Sequence, residues 1–289
     1  MRLAFFGTPQ FAVPALEALA REHEIVLVVA QPDKPSGRGM EVKSPAVAVR
    51  ARELGLPLIQ PAKVREALED IRKVAPEIAI VVAYGKILPA ALLEIPRHGF
   101  LNIHGSILPR WRGAAPIQRA IEHGDTETGV TIMRVDEELD HGPMLAIAKT
   151  PIGPDEHTPS LAVRLSTIGA EALLDVLGRL DSIEETPQDH SLATFAPKIE
   201  KSEGEIDWSA TAQSIYDKFR AFDPWPGIFM KDGLKFIDVS TARGAQRAGV
   251  VGTVLAIDDG VTIACGEGAI RVITMQRPGK PWAAAGDVA

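Results

Sequence analysis

The chain has 289 residues, 46% hydrophobic and 24% charged, with a net charge of −7 and a single cysteine. This composition fits a soluble globular protein of one large or two ordinary domains, and the acidic balance excludes a surface coated in basic charge for nucleic acid. A local basic patch remains compatible with it, because fields act within about 8–10 Å. Cys265 alone cannot build a disulfide framework or a Cys-rich metal site, and fits a reducing cytosol.

The start, "MRLAFFGTP", runs straight into a strand, without a charged segment followed by an apolar one, and no apolar run in the chain is long enough to span a bilayer. A cytoplasmic protein is expected. "LAFF" (3–6) predicts a first strand, and "FAVPALEALA" (11–20) a helix with Pro14 near its start. "EIVLVVA" (24–30) is a near-continuous apolar run, the pattern of a strand buried on both faces. The loop "QPDKPSGRGMEVKSP" (31–45) follows, then a helix over 44–55 with Ser44 as N-cap and Gly55 as its end. A helical stretch over 64–74 precedes two more buried strands, "EIAIVVA" (77–83) and "GFLNIH" (99–104). Helices are predicted over 115–124 and 158–180, and strands over 128–135 and 143–152. Alternating strands and helices imply a parallel sheet covered on both sides.

After Leu180 the periodicity fades. The expected division is an α/β domain over 1–182, a linker over 183–206 and a compact domain over 207–289. The last opens with one amphipathic helix (207–222) and continues as short strands spaced by Gly and Asp, which suggests a small β-barrel or sandwich.

Asn102 and His104 end the strand "GFLNIH" two residues apart, so their side chains share one face. Open parallel sheets bind ligands beyond the carboxyl ends of their strands. An amide and a protonated imidazole placed there suit an oxyanion; the plainer reading is a turn cap and a surface histidine. Asp140 precedes His141-Gly142-Pro143, which is ordinary turn chemistry, or else an orienting carboxylate that favours the imidazolium and accepts a proton. "VVAYGKILP" (81–89) is either a strand-to-helix loop or the wall of a slot for a flat heterocycle. In the 31–45 loop, Arg38 between two glycines is suited to fork onto a phosphate, with Lys34 and Lys43 beside it; a solvated charged loop is the alternative. No G-x-G-x-x-G follows the first strand, and no G-x-x-x-x-G-K-[ST] occurs, which argues against a dinucleotide enzyme or a P-loop phosphotransferase. The seven histidines form no metal-binding spacing, so no metal is expected.

N-x-H at a strand end, then "SILP", then "LDHGP" around Asp140, resembles the formyltransferases that use 10-formyltetrahydrofolate. "FFGTPQFAVPAL", "QPDKPSGRG", "VVAYGKILP", "HGSILPRWRGAAPIQRAI" and "DWSATAQSIYDKFRAFDPWPG" occur in the same order as in the branch of that family acting on methionyl-tRNA. The resemblance covers nearly the whole chain. It implies a Rossmann-like domain that binds 10-formyltetrahydrofolate, and an OB-like β-barrel that helps hold initiator methionyl-tRNA. By the same resemblance Asn102, His104 and Asp140 match the catalytic trio, and Ser106, Ile107, Leu108 and Pro109 match a folate-contacting segment. Val82, Tyr84, Gly85 and Leu88 are expected to line the folate slot. Lys34, Arg38 and Lys43 on the inserted loop, with Arg110, Trp111 and Arg112, are expected to meet the tRNA acceptor end, and Arg119 to lie near the mouth of the pocket.

Three departures stand out. His141 occupies a place where Thr is common, Glu41 stands where another Lys would be natural, and residues 207–289 hold equal numbers of basic and acidic side chains. A cis Leu108–Pro109 bond is expected to turn the chain under the folate. No membrane and no obligate protein partner are implied. The rival readings are a formyltransferase for a small amine (a nucleotide-sugar amine or glycinamide ribonucleotide) and a tRNA-binding module without catalysis.

Overall fold

The computed structural model describes residues 1–36, 41–242 and 250–288. Packing of the backbone divides the chain into two compact units: Met1–Pro116, Glu127–Pro151 and Ala162–Ala196 form the first, and Ile117–Thr126, Ile152–Leu161 and Pro197–Ala289 the second. Arg38 lies outside the described residues.

In chain order the strands of the first unit are β1 (Arg2–Gly7), β2 (Glu24–Val29), β3 (Lys34–Ser36), β4 (Glu41–Lys43), β5 (Leu58–Ile59), β6 (Ile78–Val82), β7 (Phe100–His104), β8 (Arg112–Gly113), β9 (Glu127–Arg134), β10 (Met144–Pro151) and β11 (Phe195–Ala196). The helices along the same stretch are α1 (Val13–Glu22), α2 (Ala46–Glu53), α3 (Leu68–Val74), α4 (Ala90–Leu93), α5 (Pro116–Glu122) and α6 (Thr158–Gly178).

Seven strands form one sheet in the order β10-β9-β7-β6-β1-β2-β5. The five from β7 to β5 are parallel, as their unbroken apolar runs predict. β9 and β10 depart from the parallel pattern: β9 runs antiparallel to β7, and β10 antiparallel to β9. The chain turns from β9 to β10 through residues 135–143 with no crossover helix, and a direct return can only be antiparallel. Phe6, Val29, Ala79, Tyr84 and Phe100 belong to one buried cluster. Gly169 of α6 permits close helix-to-sheet packing, since a Cβ there would stand 2.7 Å from Ile103 Cγ2.

Ser44 does not cap α2. Pro45 holds the N-cap position, and the Ser44 hydroxyl bonds Asp33 Oδ2 at 2.8 Å instead. The 31–45 loop contains the β3–β4 hairpin, whose register sets Lys34 opposite Lys43. The stretch expected as a linker, 183–206, is tied in at both ends: β11 pairs with β8 in the first unit, and the 3-10 turn Lys201–Gly204 falls in the second.

The second unit carries β12 (Ile228–Phe229), β13 (Lys235–Thr241), β14 (Val254–Ile257), β15 (Val261–Ala264), β16 (Ala269–Gln276) and β17 (Trp282–Ala284), an antiparallel sheet in the order β12-β13-β16-β15-β14, with β17 on β16. α7 (Ala212–Ala221) buries Ile215 against Phe236, Val261 and Ile270; α8 (Ala285–Val288) follows. α7 starts later than the sequence predicts. Thr211 is its N-cap, accepting from Ser214 N at 3.0 Å, and Asp207 spends its carboxylate on Ser209, so residues 207–210 form a turn.

Candidate active site

β7 is a central strand, and its last residues bring Asn102 and His104 to the carboxyl end of the parallel part of the sheet. Asp140 comes from the turn between β9 and β10. Its φ of 49° is left-handed, a conformation Asp tolerates better than most residues. The turn places its carboxylate between the two side chains. Asn102 Nδ2 lies 3.4 Å from Asp140 Oδ1, and His104 Nδ1 lies 3.5 Å from Asp140 Oδ2. Gly113 N–H donates to the same Oδ2 at 2.8 Å. The His104 and Asp140 side chains are only 6% and 13% exposed, so the charge is largely sheltered from water.

His104 Nε2 faces the carbonyl oxygen of Trp111 at 2.8 Å. A carbonyl only accepts, so Nε2 carries a proton, and Nδ1 is the nitrogen turned to the carboxylate. A ring protonated on both nitrogens satisfies both neighbours. The amide and Nδ1 both sit at distances long for hydrogen bonds to a carboxylate, typically about 2.7–2.9 Å. Neither donor is locked, and an oxygen arriving between them can recruit both.

Ser106, Ile107, Leu108 and Pro109 follow in a tight turn, with the Leu108–Pro109 bond cis as expected. Ser106 is fully buried. Its hydroxyl donates to Arg110 O at 2.6 Å, so it is committed within the turn. Thr131 Oγ1 ties the turn to β9, donating to Ser106 O (2.7 Å) and accepting from Leu108 N (3.1 Å). In the crossing after β6, the side chains of Val82, Tyr84 and Leu88 are buried, while Ala83, Gly85 and the Ile87 side chain are exposed. Tyr84 O accepts from Thr8 Oγ1 (3.0 Å) and Gln31 Nε2 (2.8 Å), and Lys86 Nζ donates to Pro61 O (3.2 Å) and Ala62 O (2.6 Å). These bonds hold the crossing to the loops that follow β1, β2 and β5.

The basic run divides. Arg110 is exposed, its guanidinium 4.3 Å from the Trp111 ring centroid. Trp111 is buried, at a φ of 63°, and meets the site through its carbonyl oxygen. Arg112 is buried rather than open, and its guanidinium donates to Gln188 Oε1 and His190 Nδ1. Arg119 is buried as well, paired at 2.7 Å with Glu122 and with Glu203. A sequence run cannot reveal an acceptor 76 positions away, as Gln188 is from Arg112. Lys34 and Lys43 are exposed, with Lys34 Nζ on Gln31 Oε1 at 2.8 Å. Gln188 lacks any sequence signal, since a neutral polar residue without periodicity reads as loop. Among the described residues, no helix is long and apolar enough to cross a membrane, and no cluster of three or more His, Cys, Asp or Glu could hold a metal ion.

Residues 1–177 match the family model described as formyl transferase, and residues 198–289 match that of the formyl transferase C-terminal domain. Together the two matches define the class, a two-domain formyl transferase. Among its relatives is a methionyl-tRNA formyltransferase from Thermus thermophilus, 46% identical over 283 residues, covering 97% of this chain and 92% of the relative. Another, from Sorangium cellulosum, is 47% identical over 299 residues, covering 100% of this chain and 96% of the relative. The chain belongs to the methionyl-tRNA formyltransferase family. Solved structures share the fold at lower identity. The sugar 3N-formyl transferase WlaRD aligns with a TM-score of 0.73 at 16% identity, covering 97% of this chain and 99% of its own. HypX from Aquifex aeolicus in complex with tetrahydrofolic acid aligns at 0.67 and 20% identity, and this chain spans 46% of its length.

Proposed function

We infer that this protein transfers the formyl group of 10-formyltetrahydrofolate to the α-amine of methionine carried on initiator methionyl-tRNA. The carrying observation is the convergence of Asn102 and His104 on the Asp140 carboxylate at the end of a central strand. In this reading, 10-formyltetrahydrofolate supplies an activated formyl carbon at N10. Asn102 Nδ2 and the His104 imidazolium receive the formyl oxygen as the amine nitrogen bonds to carbon and the oxygen takes up negative charge. Asp140 keeps the imidazolium in place and accepts the proton shed by the attacking nitrogen, directly or through water. As the tetrahedral centre collapses, the carbon–N10 bond breaks and that proton passes to N10. The electron pair leaves with the folate nitrogen, and the products are N-formylmethionyl-tRNA and tetrahydrofolate.

Two features support a polyanionic acceptor. Lys34 and Lys43 face one another across the β3–β4 ladder, an arrangement that like charges disfavour unless an anion lies near. Arg110, stacked on Trp111, extends from the turn that follows the candidate trio. The reading places the protein in the cytoplasm, working without an obligate protein partner. The test is to supply 10-formyltetrahydrofolate with charged initiator tRNA, a nucleotide-sugar amine or glycinamide ribonucleotide, and measure formyl transfer. Transfer to the tRNA alone is expected, and transfer to a small amine at a comparable kcat/KM contradicts the reading.

A further inference from the structure

Gln188 lies in a stretch whose sequence carries no periodic signal, yet it is 5% exposed and its amide is fully satisfied. Nε2 donates to Asp140 O at 2.9 Å and to Gly142 O at 2.8 Å. Oε1 accepts from Arg112 Nε at 3.1 Å and Arg112 Nη2 at 2.6 Å. The chemistry fixes which end of the amide is which: carbonyls only accept and a guanidinium only donates, so a flipped amide would face four wrong partners.

These bonds bracket the candidate base. Asp140 is held in a left-handed conformation, and the carbonyls of residues 140 and 142 need donors in a place shielded from water. β8 reaches Asp140 twice: Gly113 N–H bonds the carboxylate, and Arg112 acts through Gln188 on the peptide carbonyl. Arg112 Nη2 also meets His190 Nδ1 at 2.8 Å, and the His190 ring stacks on His141 with centroids 4.0 Å apart, bracing the residue next to Asp140 from the other side. We propose that Gln188 is a positioning residue for formyl transfer, holding the 140–142 turn so that the Asp140 carboxylate stays between Asn102 and His104. This rests on the role given to Asp140 above. The contacts it protects are already 3.4 and 3.5 Å long, so a small rotation of the turn breaks them. A misplacement of about 1 Å costs on the order of 10² in rate.

Gln188→Glu separates positioning from folding. It preserves volume and gives Arg112 a carboxylate partner, but sets an acceptor against two carbonyls. The experiment measures kcat and KM for both substrates in wild type, Q188E, D140N and the double variant, with the thermal midpoint of each. The expected result is a loss in kcat of about 10² in Q188E, with KM values changed by less than about threefold, and a double variant no slower than D140N alone. Q188E within about threefold of wild-type kcat, while D140N is slow, overturns the proposal. A double variant slower than D140N by the full Q188E factor also overturns it, because Gln188 would then act through something other than Asp140. If D140N itself keeps wild-type turnover, the role of Asp140 fails and this proposal with it, a result distinct from the other two. Should Q188E not fold, Q188N retains the amide but withdraws it by one methylene, and the same comparison applies.

Discussion

Asn102 and His104 each lean on Asp140 without closing a short bond, and that looseness suits the role proposed for them as donors to a transient oxygen. Asn102→Ala is therefore expected to lower kcat by about 10²–10³, with a thermal midpoint close to wild type, read by steady-state assay and melting curve. Gly142 tests the turn itself. An added Cβ there would collide with the carbonyl of Arg134, so Gly142→Ala is expected to destabilise by about 1–3 kcal/mol, and to lower kcat by displacing Asp140; a melting curve unchanged from wild type would contradict this. Asn102, His104 and Asp140 come together as the resemblance implies, whereas their local patterns alone read equally as a turn cap, a surface histidine and ordinary turn chemistry. Arg112 and Arg119 are not legible in the same way. Both read as surface charge, yet Gln188, which accepts from Arg112, and Glu203, one of the two carboxylates on Arg119, lie far along the chain.

Among the elements, the parallel strands announce themselves as continuous apolar runs, whereas β8 and β11 have two residues each and no pattern to show. The antiparallel turn of β9 and β10 is equally hidden, since an apolar run carries no direction. In the second unit, α5 is joined to the 3-10 turn Lys201–Gly204 by the Arg119 pair with Glu203. The Arg119 guanidinium bonded to Glu203 holds its carboxyl below the usual range, against the opposing effect of burial. A lowered folded value means the contribution is present above the ordinary glutamate range and is lost as pH falls through the lowered value. Glu203→Gln is expected to cost about 1–2 kcal/mol at neutral pH, and to show a smaller loss of stability on acidification than wild type. Urea titrations at neutral and acid pH measure both, and an equal acid loss in the two proteins would contradict the assignment.

At the scale of the whole molecule, a net charge of −7 must coexist with a nucleic-acid substrate, so binding is expected to depend on a few placed cations. Affinity for charged tRNA is expected to fall steeply with salt. Replacing both Lys34 and Lys43 by Ala is expected to reduce that log–log slope by about 1.4, at about 0.7 per single-strand phosphate contact. An unchanged slope would remove the hairpin from the interface. A change of architecture is readable from the shift in periodicity after Leu180, but the placing of Ile117–Thr126 and Ile152–Leu161 in the second unit is not. The interlocking of 183–196 with the first unit is not, because its bonds join polar residues distant in sequence. In the proposed reaction an amide, an imidazolium and a carboxylate together carry formyl transfer. Its most direct test is the single-turnover rate of formyl transfer to methionyl-tRNA by His104→Ala under saturating 10-formyltetrahydrofolate. A folded protein slower by at least about 10² is expected; a folded His104→Ala that transfers at the wild-type rate would exclude the imidazolium from the reaction.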